Sequence, residues 1–147
     1  MKRNIKLSAF YPFPPERVWR AITDSKAMEK WLMPNDFEPI VGHKFNFRTK
    51  PAPGFDGIVY CEVLELIEPT RLSYSWRGGP IDTVLSFDLE AVKTGTNLTL
   101  QHDGFEGLKA IMVSFIMGSG WKKMFRTSLP KAIENIDNLD ALPAKEC

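Results

Sequence analysis

The chain has 147 residues, 44% of them hydrophobic and 25% charged, a balance that excludes a disordered segment or a fibrous repeat. Nineteen basic residues face eighteen acidic ones, and a net charge of +1 supplies no drive toward nucleic acid or anionic lipid. No apolar stretch reaches membrane-spanning length, and two distant cysteines, Cys61 and Cys147, make no disulfide framework, so the expectation is one cytoplasmic domain over 1–140 with a frayed tail over 141–147.

In chain order, Ile5, Leu7 and Ala9 alternate with Lys6 and Ser8 and predict a first strand, which Pro12, Pro14 and Pro15 end. Val18, Ala21 and Ile22 recur at helical spacing, with Pro15 suited to the first turn, and predict a helix from Pro15 to Thr23. Asp24 can cap a second helix carrying the four-apart pairs Ala27–Trp31 and Met28–Leu32, with Pro34 as its stop. A long β region comes next. Phe45 and Phe47 alternate with polar residues, and Gly57 to Ile67 is rich in β-branched side chains. After the turn Glu68-Pro69-Thr70, the sets Leu72/Tyr74/Trp76, Leu85/Phe87/Leu89 and Leu98/Leu100/His102 each keep a period of two. Short turns between them predict an antiparallel meander.

The last third reads as helical. A first piece is expected from Phe105 to Met117, interrupted by Gly118 and Gly120, with Ser119 as a cap for the helical segment after it. Trp121, Phe125, Leu129, Ala132, Ile133 and Ile136 form an apolar stripe, and Pro130 inside it predicts a kink through loss of the bond to the Arg126 carbonyl. The fold class is therefore α+β: a curved antiparallel sheet of about six strands closed by one long C-terminal helix, in the order β-α-α-β-β-β-β-β-α. The sheet offers large inward residues, Phe45, Phe47, Tyr74, Trp76, Phe87 and His102, and the helical side adds Met112, Met117, Trp121, Met124 and Phe125. Bulky rings on a concave face are expected to close incompletely on a helix, leaving a cavity for an amphipathic guest.

Four segments carry a resemblance to a known family. They are Pro14-Pro15-Glu16-Arg17-Val18-Trp19-Arg20-Ala21-Ile22-Thr23 with Trp31; Gly42-His43-Lys44-Phe45-Asn46-Phe47; the block Gly57 to Trp76 with its proline turn; and Gly95 to Phe105 with Gly120-Trp121. In this order they resemble the activator of heat-shock-protein ATPase homologue family, within the START-like (SRPBCC, polyketide cyclase, Bet v 1-like) superfamily. The resemblance spans Ile5 to Ile136, while Glu106 to Ser119 and Pro130 depart from the common pattern. It implies a helix-grip fold with a hydrophobic ligand cavity, and no single reaction.

His102, on the inward face with Leu98 and Leu100, could orient a ligand, act as a base, or be a satisfied core histidine. Glu62 is an acid–base candidate only if it points inward, and an exposed Glu62 is expected. Arg48, Arg71 and Arg77 are expected on the solvated face. His43 and Cys61 give too few ligands for zinc, and no cofactor is expected. Gly118 to Lys122 fails as a phosphate loop because its glycine spacing is wrong and no Ser or Thr comes after the lysine. No catalytic residue is therefore assigned. The leading expectation is a non-enzymatic binding domain for a lipid-like or aromatic polyketide-like molecule. A chaperone-associated protein acting through its surface and a cyclase- or hydrolase-type enzyme using the same cavity are the alternatives; the oligomeric state is left open.

Overall fold

The computed structural model describes residues 1–143. The elements are β1 (Lys2–Tyr11), α1 (Pro15–Thr23), α2 (Ser25–Trp31), β2 (Lys44–Arg48), β3 (Ile58–Ile67), β4 (Arg71–Gly78), β5 (Ile81–Val92), β6 (Gly95–Glu106), α3 (Leu108–Arg126) and α4 (Ser128–Glu134), with a 3-10 turn at Leu139–Ala141. The six strands form one antiparallel sheet in the order β1-β6-β5-β4-β3-β2. The two helices between β1 and β2 therefore bridge the opposite edges of the sheet. This is the helix-grip arrangement expected from the element order, with the helices closing the aromatic face.

Local chemistry explains the helix boundaries. Pro15 opens α1, and the Asp24 carboxylate accepts from the Lys26 and Ala27 N–H groups to start α2. The Trp31 indole N–H donates to the Ala21 carbonyl at 2.8 Å and ties α2 back to α1. Arg17 caps the far end of α4, donating to the Ile133 and Glu134 carbonyls at 2.9 and 2.6 Å.

Three expectations for the last third are corrected. Phe105 belongs to β6 and not to a helix. The β1–β6 register slips between Arg3 and Asn4, which leaves Gly104 as an extra residue at φ +105°, its N–H donating to the Asn4 side chain. That bulge turns Phe105 to the same inner face as His102, three residues earlier, so a strict period of two does not reveal it. Gly118 and Gly120 do not interrupt the helix: α3 runs through both, and Ser119 caps nothing. Ala110, Ser114, Gly118, Trp121 and Phe125 keep one buried stripe along it, which outweighs the glycine penalty. The discontinuity comes instead at Thr127, three residues before Pro130. Pro130 thus falls in the first turn of α4, where a missing N–H costs nothing.

Residues 141–143 carry a defined contact, since Lys30 Nζ donates to the Leu142 carbonyl at 2.8 Å; the remainder of the expected tail, 144–147, lies outside the described residues. Among the described residues no helix is long and apolar enough to cross a membrane.

An uninterrupted α3 carries a measurable consequence. A Cβ at Gly118 would meet the Ile5 side chain at 3.8 Å, an ordinary contact, so Gly118→Ala is expected to raise stability by about 0.5–1 kcal/mol in urea denaturation. A loss of stability in that variant would contradict the continuous helix.

Candidate functional site

The concave face of the sheet places aromatic side chains in a continuous line. Phe37, on the loop after α2, meets Phe45 at 5.0 Å; Phe45 meets Tyr74 at 5.1 Å; Phe47 meets Trp76 at 5.3 Å; Trp76 meets Trp121 of α3 at 5.7 Å. Tilted and edge-on pairs of this kind add about 0.5–1.5 kcal/mol each beyond burial. Phe87 joins the line from β5 and Trp31 from α2, both fully buried. Trp31, Phe37 and Phe105 were not among the expected lining residues. The protein's own rings occupy much of the space between sheet and helices.

A depression of about 690 Å³ lies elsewhere. It is open to solvent on the outer face of the sheet, between Ser8, Thr70, Asp88 and Asn97, and shares no residue with the aromatic line. Arg71 borders it but is engaged by Asp88 through two bonds of 2.9 and 2.8 Å and by Glu65 at 2.9 Å.

His102 is 0% exposed, and its hydrogen bonds determine its tautomer. The Trp121 indole N–H, which can only donate, reaches Nδ1 at 3.2 Å, so Nδ1 carries no proton. Nε2 therefore carries it and donates to Thr83 Oγ1 at 2.7 Å, and the Thr83 hydroxyl donates onward to the Trp76 carbonyl at 3.0 Å. Burial pushes the imidazole down to about pKa 3, so it is neutral at physiological pH. Both ring nitrogens are engaged, and the ring packs 4.7 Å from Phe105. Thr83 was not singled out from the sequence, although its place two residues from both Ile81 and Leu85, on the same inward parity, marks it.

Tyr74 is the opposite case. It is 0% exposed, and among the described residues its hydroxyl is the buried side-chain polar atom without a partner. Burial holds its pKa well above the usual phenol value. Its ring neighbours are Phe37, Phe45, Phe47 and Phe87. Cys61, also nearly buried, has its thiol pushed up by burial and by the negative charge of Asp36, so it is protonated at neutral pH.

Of the expected lining residues, Phe45, Phe47, Tyr74, Trp76, Phe87, His102, Trp121 and Phe125 come together in the buried interior, and Met117 and Met124 pack at its margin. Met112 is corrected: it is 62% exposed, because the unbroken helix turns it away from the stripe of Ala110 and Ser114. Val59, Cys61 and Val63 face inward, which puts Glu62 on the outer face, half-buried. His43 is also half-buried, stacked on Phe45, with Nε2 3.0 Å from the Asp36 carbonyl.

Comparison with known proteins gives one family. Residues 12–134 match the family model described as Activator of Hsp90 ATPase homolog 1-like protein. Among solved structures, protein MLL2253 from Mesorhizobium loti is 31% identical, with a TM-score of 0.80 over 90% of this chain and 98% of that one. Protein BH1534 from Bacillus halodurans is 25% identical, with a TM-score of 0.75 over 90% and 99%. The Aha1 dimer from Colwellia psychrerythraea, at 23% identity and a TM-score of 0.73 over 90% and 96%, shares the fold. No curated protein sequence matches significantly.

The neutral imidazole links stability to pH with a definite sign. Unfolding releases His102 to its ordinary value near 6.5, so below that pH the unfolded chain binds a proton the folded chain does not. The stability His102 contributes is present above about pH 6.5 and is lost as the pH falls toward 3. Between pH 6 and 4, wild-type stability is expected to fall more steeply than that of His102→Gln, by about 1.4 kcal/mol per pH unit, in denaturant titrations. Parallel slopes would contradict the buried neutral ring.

Proposed function

The chain belongs to the Activator of Hsp90 ATPase homolog 1-like family, and from that premise we propose that it binds a small amphipathic molecule, lipid-like or aromatic polyketide-like, at the Tyr74 end of its interior. The observation that carries this reading is the Tyr74 hydroxyl, fully buried and without a partner. A buried hydroxyl left unpaired costs about 1–3 kcal/mol, and a guest supplying one polar atom would recover it. The surrounding rings offer apolar contact to the rest of such a molecule.

Entry requires Phe37 to move. It sits on the connection between α2 and β2, where its ring closes over Phe45 and Tyr74 while the neighbouring Ile40 and Val41 are exposed. Swinging that one ring outward would open a path to the hydroxyl without disturbing the sheet. Orientation would come from Tyr74, and affinity from Phe37, Phe45, Phe47 and Phe87. Trp76, His102 and Trp121 would form the closed back wall, with Phe125, Met117 and Met124 behind it. The location in this reading is cytoplasmic.

The family description also supports a chaperone-associated role exercised through the surface. The enzyme alternative has less support, since His102 has both nitrogens engaged and Glu62 faces outward.

Tyr74→Phe separates guest binding from mere packing. Without any guest, the variant is expected to unfold at the same temperature as wild type or higher, because it deletes an unpaired group. In NMR titrations with 1-naphthol and with laurate, shifts are expected at Phe37, Phe45 and Tyr74 in wild type, and Tyr74→Phe is expected to weaken binding about tenfold. Absence of shifts in this region with both probes, or equal affinity in the variant, would sink the reading.

A further inference from the structure

The first half of α3 shows an apolar face to solvent. Leu108, Met112, Phe115 and Ile116 are 70, 62, 61 and 74% exposed, and their spacing of four, three and one puts them on one side of the helix, opposite the buried stripe. Large apolar side chains gathered in this way, with polar residues around them, mark a contact surface. Phe115 is held in place before any contact. Arg3 lies over its ring at 3.9 Å, and the Arg3 Nε donates to Ser114 Oγ at 2.9 Å.

The net charge of +1 conceals an uneven distribution. α3 carries Lys109, Lys122, Lys123 and Arg126, all exposed, and no acidic residue along its 19 positions. β1, which packs beside it, carries Lys2, Arg3 and Lys6 and no acidic residue either. Lys123 comes seven residues after Ile116 and Arg126 eleven after Phe115, so helical periodicity keeps both on the apolar side. A groove of about 410 Å³ between β1 and α3 borders the Phe115 ring and is lined also by Arg3, Lys6, Ser119 and Lys122. The acidic residues of β6 do not oppose this pattern. Glu106 is level with Lys2 in the β1–β6 register, and Asp103 opens onto the outer face of the sheet beside Arg77 and Asp82.

Apolar side chains and cations on one helix, without an anion, match one kind of surface. A nucleic acid would use the cations and leave Leu108, Met112 and Ile116 in water. An anionic bilayer uses both, because acyl chains take the apolar side chains while lysine and arginine stems carry their charges up to the phosphates. We infer that α3 docks on the surface of an anionic lipid bilayer. Leu108, Met112, Phe115 and Ile116 enter below the headgroups, and Lys109, Lys122, Lys123 and Arg126 lie at phosphate level. Burial of Trp121 and Phe125 holds α3 folded before it reaches the lipid, so docking carries no cost of ordering the helix. The surface is separate from the Tyr74 site and needs no guest there.

Flotation of the full chain with lipid vesicles tests this. Wild type is expected to float with phosphatidylcholine vesicles holding about 30 mol% phosphatidylglycerol, and to bind phosphatidylcholine alone at least about tenfold more weakly. Ile116→Asp is expected to weaken binding to the anionic vesicles about tenfold or more, with an unchanged melting temperature because the side chain is exposed. Lys122→Glu is expected to weaken it about tenfold. Lys93→Glu makes the same change in net charge at an exposed turn between β5 and β6, and is expected to leave binding unchanged. Tyr74→Phe is also expected to leave it unchanged, so this result stands apart from guest binding in the interior. Wild type that fails to float with the anionic vesicles, Ile116→Asp that floats as wild type does, or Lys93→Glu that loses as much binding as Lys122→Glu would each overturn the proposal. A chain that ignores the vesicles and instead dimerises through Ile116 in sedimentation would overturn it in favour of a second copy.

Discussion

A buried indole N–H must find an acceptor, and in this protein the need of Trp121 sets the phase of the closing helix. His102 provides the acceptor only as the neutral tautomer protonated at Nε2, and that proton in turn needs Thr83. One line of hydrogen bonds therefore joins α3, β6, β5 and the Trp76 carbonyl of β4. With Trp121 turned inward, helical periodicity turns Ala110, Ser114, Gly118 and Phe125 inward as well. Leu108, Met112, Phe115 and Ile116 are then left facing water. The aromatic interior and the bare outer face are two results of one rotational setting.

The interior has two unlike ends. At the His102 end each polar atom has a partner, and low dielectric strengthens a network that is complete. At the Tyr74 end a hydroxyl of equal burial has none. The same low dielectric makes that unpaired group costly, so the two ends differ in what they can accept. A satisfied histidine gains nothing from a guest's polar atom, whereas an unpaired phenol does. The contrast between these two residues, and not the size of any hollow, argues for where a guest would sit.

The break at Thr127 has its own supports. Tyr11 on β1 donates to the Phe125 carbonyl at 2.7 Å, and Ser128 donates to the Trp31 carbonyl at 3.0 Å. The Phe125 carbonyl near the discontinuity thus finds a side chain, and Ser128 in turn serves the carbonyl at the end of α2. The shorter helix then leaves the line of α3 and packs on α1 and α2, with Arg17 capping its end. Ion pairs on the same side, Arg20 and Arg17 with Asp137 and Lys26 with Asp140, are exposed and secure little by themselves.

The pattern of apolar residues determined the element order, the strand faces through Leu100 and His102, the cap at Asp24, and the inward set Phe45, Phe47, Tyr74, Trp76 and Phe87, because side-chain alternation and capping are local properties of the backbone. The resemblance in the Gly57 to Trp76 block added the fold family. Three things lay beyond it. A single bulge residue, Gly104, reverses strand parity at Phe105, and nothing local distinguishes it from any other glycine. Whether Gly118 and Gly120 interrupt a helix depends on the burial of Trp121 and Phe125 against strands far away in sequence, which tertiary packing supplies and propensity does not. Whether His102 and Tyr74 are satisfied depends on Thr83, Trp121 and Phe37, each contributed by a different segment. Hydrogen-bond pairing across the fold is a property of three-dimensional proximity, so only the folded chain could decide it.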